Sequence, residues 1–189
     1  MSYELYLFLP VSGETPEATA RRRSATLRTE VVNPGPPNAE AEARKEELVR
    51  ALLAQNPGLE RFAFDIAEIA RFEGIPEEKA RSQNRQIELN EPGDGPGIQI
   101  ILYDDWANVS LPSGDGWASE QALWAQVWRY LRVFEAGGFF VYDPQIEAVI
   151  DLDEDHSDAG RTPRAGAADP GPDRAAASAR SARPWWKFW

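Results

Sequence analysis

IQIILYDDWANVSL, residues 98–111, reads as two strands folded about an acidic turn. IQIILY (98–103) is the strongest strand signal in the chain, a β-branched and aromatic run. Residues 107–111 are its expected hairpin partner, and Asp104-Asp105 supplies polar turn chemistry between them. Just upstream, Ile87 and Leu89 alternate with Gln86, Glu88 and Asn90 at the two-residue period of a half-buried strand. The turn EPGDGPG separates that run from residue 98.

Working outward, strands continue on both sides. Tyr3 to Leu9 is apolar on both faces, as a buried central strand should be. FFVY (139–142) and IEAVI (146–150) form a last pair around Asp143-Pro144-Gln145. Helices lie between these strands. A charged helix is expected over 15–30. Another spans 39 to about 55, capped by Asn38 and turned inward on Leu48, Val49, Leu52 and Leu53. Asp65 and Glu68 form a capping box, with Phe64 and Ile69 as its hydrophobic staple, and Gly74 ends that helix. Pro76 opens a further turn with Glu77 and Glu78, where the helix dipole favours acids. The clearest amphipathic helix is 117–136: Trp124, Val127, Trp128, Leu131 and Phe134 recur at three and four, and Gly137-Gly138 stops it. Strands outnumber crossover helices in the second half. The expected fold is therefore α+β, an antiparallel sheet of about five to six strands with helices mainly on one face and a disordered C-terminal tail.

Composition divides the chain into three regions: an acidic α+β domain over 1–152, a disordered linker over 153–183 and an aromatic motif over 184–189. The linker is rich in Ala, Asp, Arg, Gly, Pro and Ser and cannot bury enough surface to offset its ordering. The chain has 189 residues and a net charge of −11. Residues 161–189 carry six basic residues against Asp169 and Asp173, a net of +4, which leaves −15 for everything before them. Such a body repels nucleic-acid phosphates and suits a basic protein partner. With no cysteine, disulfides, thiol catalysis and cysteine-ligated zinc are absent together. No run reaches the roughly 20 apolar residues of a membrane span, and the start carries no basic leader. A cytoplasmic location is expected.

Chemistry-bearing motifs are few. His156, the single histidine, sits in the acidic linker without an orienting shell. Tyr103-Asp104-Asp105 contains paired acids of the kind that hold metals in nucleotidyl transfer, yet it fits an ordinary turn. GDGPG (93–97) is followed by neither Lys-Ser nor a helix signal, and Gly-x-Ser-x-Gly does not occur. No catalytic residue, cofactor or metal is assigned. The aromatics are more informative. Trp124 and Trp128 read as core, whereas Trp106 and Trp117 read as anchors of a binding face. Trp185, Trp186, Lys187, Phe188 and Trp189 come after the linker and have no local core to join. Burying each ring gains roughly 1.5–3 kcal/mol, while ordering each residue costs about 1–2 kcal/mol. Free in solution such a motif binds weakly; a tether reaching roughly 30 Å raises its effective concentration.

The stretches MSYELYLFLP, IELNEPGDGPGIQIILYDDWANVSLP and VWRYLRVFEAGGFFVYDPQ resemble a family of small bacterial proteins. Their marks are a Met-Ser-Tyr-acidic start and a Tyr-Asp-Pro-Gln turn near the end of the core. The resemblance covers residues 1–152 and rests on strand starts and turns, so it implies no activity and transfers no catalytic residue. Bacterial proteins that neutralise toxins are similar in size and acidity. The expected function is a non-enzymatic interaction protein, immunity-like or adaptor, which contacts a protein partner through its acidic body and tethered tail. The alternatives are a tail held at a membrane surface, and an enzyme or small-molecule binder with a pocket near Asp105 and Trp106.

Overall fold

A computed structural model describes residues 3–27, 36–92, 97–111 and 120–153, the side chains of 120 and 121 excepted. Its centre is β1 (Tyr3–Phe8), which pairs antiparallel with β5 (Trp106–Leu111) on one side and β6 (Phe140–Asp143) on the other. Beyond β5 lie β4 (Gln99–Leu102), β3 (Ile87–Asn90) and the two-residue β2 (Glu60–Arg61). Beyond β6 lies β7 (Ala148–Ile150), so the sheet runs β2-β3-β4-β5-β1-β6-β7 and every pairing is antiparallel. The α+β fold and the 98–111 hairpin are as the pattern implies. The seventh strand is the difference. Glu60 and Arg61 are both exposed and carry no periodicity; they become a strand because they pair with Asn90 and Leu89.

The alternation of β1 divides the sheet. Leu5 and Leu7 face the main core with Ile87, Leu89, Ile100, Leu102, Val109 and Val141. Two helices cover that face. Helix α2 (Ala39–Gln55) contributes Leu48, Val49 and Leu52, and α5 (Glu120–Ala136) contributes Trp124, Val127, Trp128, Leu131 and Phe134. Asn38 caps α2 through Glu40 N–H at 2.9 Å. Gly138, at φ +84°, closes α5: its N–H reaches Glu135 C=O at 2.9 Å and Phe139 N–H reaches Phe134 C=O at 3.0 Å.

Helix α1 (Pro16–Thr26) lies on the opposite face, where Ala20 and Leu27 pack against Phe8, Trp106, Phe140 and Tyr142. The long helices thus pack mainly on one face, as expected, and α1 is the exception on the other. Helix α1 buries only Thr19 and Ala20, small side chains that let its backbone approach the sheet but leave no apolar stripe to read. Helices α3 (Ile66–Glu73) and α4 (Glu77–Gln83) pack chiefly on each other. Asp65 caps α3 through Glu68 N–H at 2.9 Å, and Gly74 ends it at φ +67°, as the capping box and the glycine stop predict. The last strand begins at Ala148 rather than 146, because Glu147 takes a left-handed φ of 56° and keeps Ile146 in the turn.

Two buried polar ties reinforce the packing, one between layers and one within the sheet. Tyr130 donates to Glu91 Oε1 at 2.7 Å and accepts from Asn56 Nδ2 at 2.8 Å, joining α5 to the end of α2. Burial pushes the Tyr130 phenol up to about 12; the Asn56 donor opposes this and the Glu91 carboxylate adds to it. Asp143 is fully buried and accepts from the Tyr3 hydroxyl and from Gln145 N–H at 2.8 Å. The Tyr3 ring meets Trp124 edge-on at 5.4 Å. Tyr3→Phe leaves the buried carboxylate short of one donor and should destabilise the protein by about 1–3 kcal/mol, read as a lower urea midpoint with an unchanged slope.

Candidate functional site

The turn of the β4–β5 hairpin gathers a network of ion pairs around one buried ammonium. Lys45, on the inner side of α2, is 1% exposed. Its ammonium has three donors and three acceptors: Glu42 Oε1 at 2.9 Å, Arg85 C=O at 2.8 Å and Asp104 Oδ1 at 2.9 Å. The other oxygen of Asp104 receives Arg85 Nη2 at 2.6 Å, and its carbonyl receives Arg44 Nη2 at 2.9 Å. Asp105 pairs with Arg23 of α1 at 2.6 Å. Burial raises the Asp104 carboxyl, but the hydrogen bonds from Lys45 and Arg85 outweigh it and hold the group below the usual carboxylate range. Both Asp104 oxygens are committed to cations of the fold, so the Tyr103-Asp104-Asp105 run works here as a turn clamp.

Trp106 is buried, at 8% exposure. Its ring stacks on Tyr103 at 4.0 Å with a 12° interplanar angle, meets Tyr6 edge-on at 6.1 Å and lies 6.4 Å from Phe8. The Arg23 guanidinium stands 5.6 Å over the Phe8 ring while it pairs with Asp105. The space beside Asp105 and Trp106 is thus filled by side chains. The expectation that Trp106 anchors an exposed face is corrected: β1–β5 register sets Trp106 opposite Phe8, on the face α1 covers. Trp117, Trp185, Trp186, Lys187, Phe188 and Trp189 lie outside the described residues, as does the helix start at 117.

Away from α1 the same sheet face turns polar. Register aligns Asn90, Gln99, Ser110 and Glu4 across four strands, all of them half-buried. Glu88, 5% exposed, accepts from Asn90 Nδ2 at 2.8 Å and Gln99 Nε2 at 2.9 Å through Oε1, while its buried Oε2 has no hydrogen-bond partner. Burial, followed by the charges of Glu88 and Glu4 and by Tyr6, pushes the Tyr103 phenol well above its ordinary value. Sequence alternation marks Glu88 as polar but predicts it on a solvated face.

The exposed aromatics lie elsewhere. Phe62 is 49% exposed and Phe72 74%. Phe62 rests edge-on against Phe64 at 5.1 Å beside a shallow cleft of about 330 Å³ that Arg61, Arg81 and Ile87 also line. Around α3 and α4, Asp65, Glu68, Glu73, Glu77 and Glu78 are exposed, interspersed with exposed Arg71, Lys79 and Arg81, and Arg71 pairs with Glu68 at 3.2 Å. Neither phenylalanine is singled out by the sequence, although Phe72 falls at the outer margin of the Ile66–Ile69–Ala70 stripe. Among the described residues no group of three or more metal-ligating side chains occurs, and no helix is long and apolar enough to cross a membrane. No family model, curated protein or solved structure matches this chain.

Two variants test the assignment of this region to stability. Asp104, held low in the folded state, contributes stability above the ordinary carboxylate value near 3.9 and loses it as pH falls through the folded value. Asp104→Asn should therefore lower stability at neutral pH and flatten the acid limb of the stability profile. Trp106→Ala should cost about 3–5 kcal/mol by creating a cavity, measured by denaturant unfolding.

Proposed function

We propose that this chain is a bacterial interaction protein of the immunity-like or adaptor kind, which presents an acidic surface with aromatic anchors to a basic protein partner. The observation that carries the reading is the exposure of Phe62 and Phe72 on the segment from β2 to α4. Large aromatics standing in solvent cost hydration free energy, and a partner that covers them recovers roughly 1.5–3 kcal/mol for each. The acidic excess of the body as a whole, −15 before residue 161, supplies the complementary charge. Opposite charge accelerates encounter more than it tightens the final complex, so the association rate should be the salt-sensitive quantity. The segment 184–189, with Trp185, Trp186, Lys187, Phe188 and Trp189, serves as a second, tethered contact, and the cytoplasm is the compartment that fits the reading.

The test uses a basic protein recovered from bacterial lysate with the full chain. Paired Phe62→Ala and Phe72→Ala substitutions should weaken its binding at least tenfold, about 1.4 kcal/mol or more, with the unfolding midpoint nearly unchanged. Raising salt should slow association steeply while dissociation changes little. Unaltered binding by the double variant, or an association rate indifferent to salt, would sink the proposal.

A further inference from the structure

A second cleft, of about 380 Å³, lies where β7 forms the border of the sheet. It has apolar walls and an acidic rim. Half-buried Phe140 and Val149 supply apolar surface, while Glu17 of α1, Asp151 and Glu135 of α5, the last of them paired with Arg132, are exposed around it. Among the described residues strand β7 pairs with β6 and with no other strand, and its outer side is a border to which a further extended segment can add.

The chain itself leaves the described domain from the wall of this cleft. Arg132 holds the exit: it donates to Leu152 C=O and to Asp153 Oδ1, both at 2.8 Å, and also to Glu135 Oε2 at 2.6 Å. Leu152, 2% exposed, is both a cleft residue and the last buried residue before the linker. The C-terminal segment is therefore tethered at the cleft's own edge. That segment is basic and aromatic, with a net +4 over residues 161–189 and PWWKFW at 184–189.

We propose that residues 184–189 dock in cis along the β7 border, with aromatic rings in the cleft and Lys187, together with the arginines that precede it, against Glu17 and Asp151. Three physical arguments converge. The charges are opposite. The rings are strong strand formers and need an apolar seat, which the cleft offers. Thirty residues lie between Asp153 and the motif; a chain of that length reaches on the order of 30 Å, which supplies an effective concentration on the order of millimolar. A motif that binds weakly in trans is then largely docked in cis, and a partner must displace it. Such docking shields the rings and keeps them for a competitor of higher affinity. This inference is independent of the partner reading, because the docked state needs no second protein.

The absence of cysteine makes a clean test available. A nitroxide on Ala18→Cys, an exposed position beside Glu17, is compared in the full chain with one on Lys79→Cys. Lys79 lies on α4, near the opposite border of the sheet. The indole N–H signals of Trp185, Trp186 and Trp189, assigned by Trp→Phe substitution, should lose most of their intensity with the first label and keep it with the second. Adding Glu17→Lys to the first labelled protein should restore much of the lost signal. Full intensity with the Ala18→Cys label would overturn the proposal, as would equal loss from both labels. Loss that persists when nitroxide and isotope label reside on separate molecules would assign the docking to a second copy and overturn it equally.

Discussion

The clamp on the β4–β5 turn is the interaction on which the remaining architecture depends. Asp104 and Asp105 are two adjacent residues, yet they bind cations from opposite layers. Lys45 and Arg44 come from α2 on the core face, Arg23 comes from α1 on the other face, and Arg85 comes from the approach to β3. Both helical layers are thereby indexed to one hairpin tip. A buried ammonium is costly unless every donor is used. Lys45 meets that condition with one acceptor from its own helix, one from the backbone at Arg85 and one from the turn. None of the three suffices alone, so removing any element leaves a buried charge exposed to its own desolvation penalty.

The same logic sorts the polar side chains of the protein. Asp104 and Asp143 have specific partners and belong to the fold. Glu88 and Glu91 each satisfy one oxygen and leave the other buried without a partner, a cost that the surrounding structure must carry. The acids of α3, α4 and the β7 border stand in solvent, so their charge acts on an approaching molecule.

How legible each feature is in the sequence depends on the range over which it is specified. Caps and stops are local, and Asn38, Asp65, Gly74 and Gly138 do what their residue types imply. The hairpin at 98–111 and helix α5 are nearly as local, since periodicity over a dozen residues defines their faces. The packing of Trp106 is not legible, because burial belongs to the covering element, and α1, with its alanines and arginines, shows no sign of being a cover. Strand β2 escapes the pattern for a related reason: two exposed residues make a strand only through their partners on β3. Glu147 adds a third case, a left-handed residue whose conformation comes from the turn it closes.

By itself, then, the sequence determined the class of fold, the hairpin at its centre, the inner faces of α2 and α5, and the division between an acidic body and a basic, aromatic segment. These depend on short-range periodicity, capping chemistry and composition. Tertiary structure alone decided that Asp104 is a clamp, that Trp106 is packed, that Phe62 and Phe72 stand in solvent, and that the chain departs from the wall of an acid-rimmed cleft. Each of those depends on groups far apart in the chain being brought within a few ångströms, and no local pattern records which distant residue will arrive.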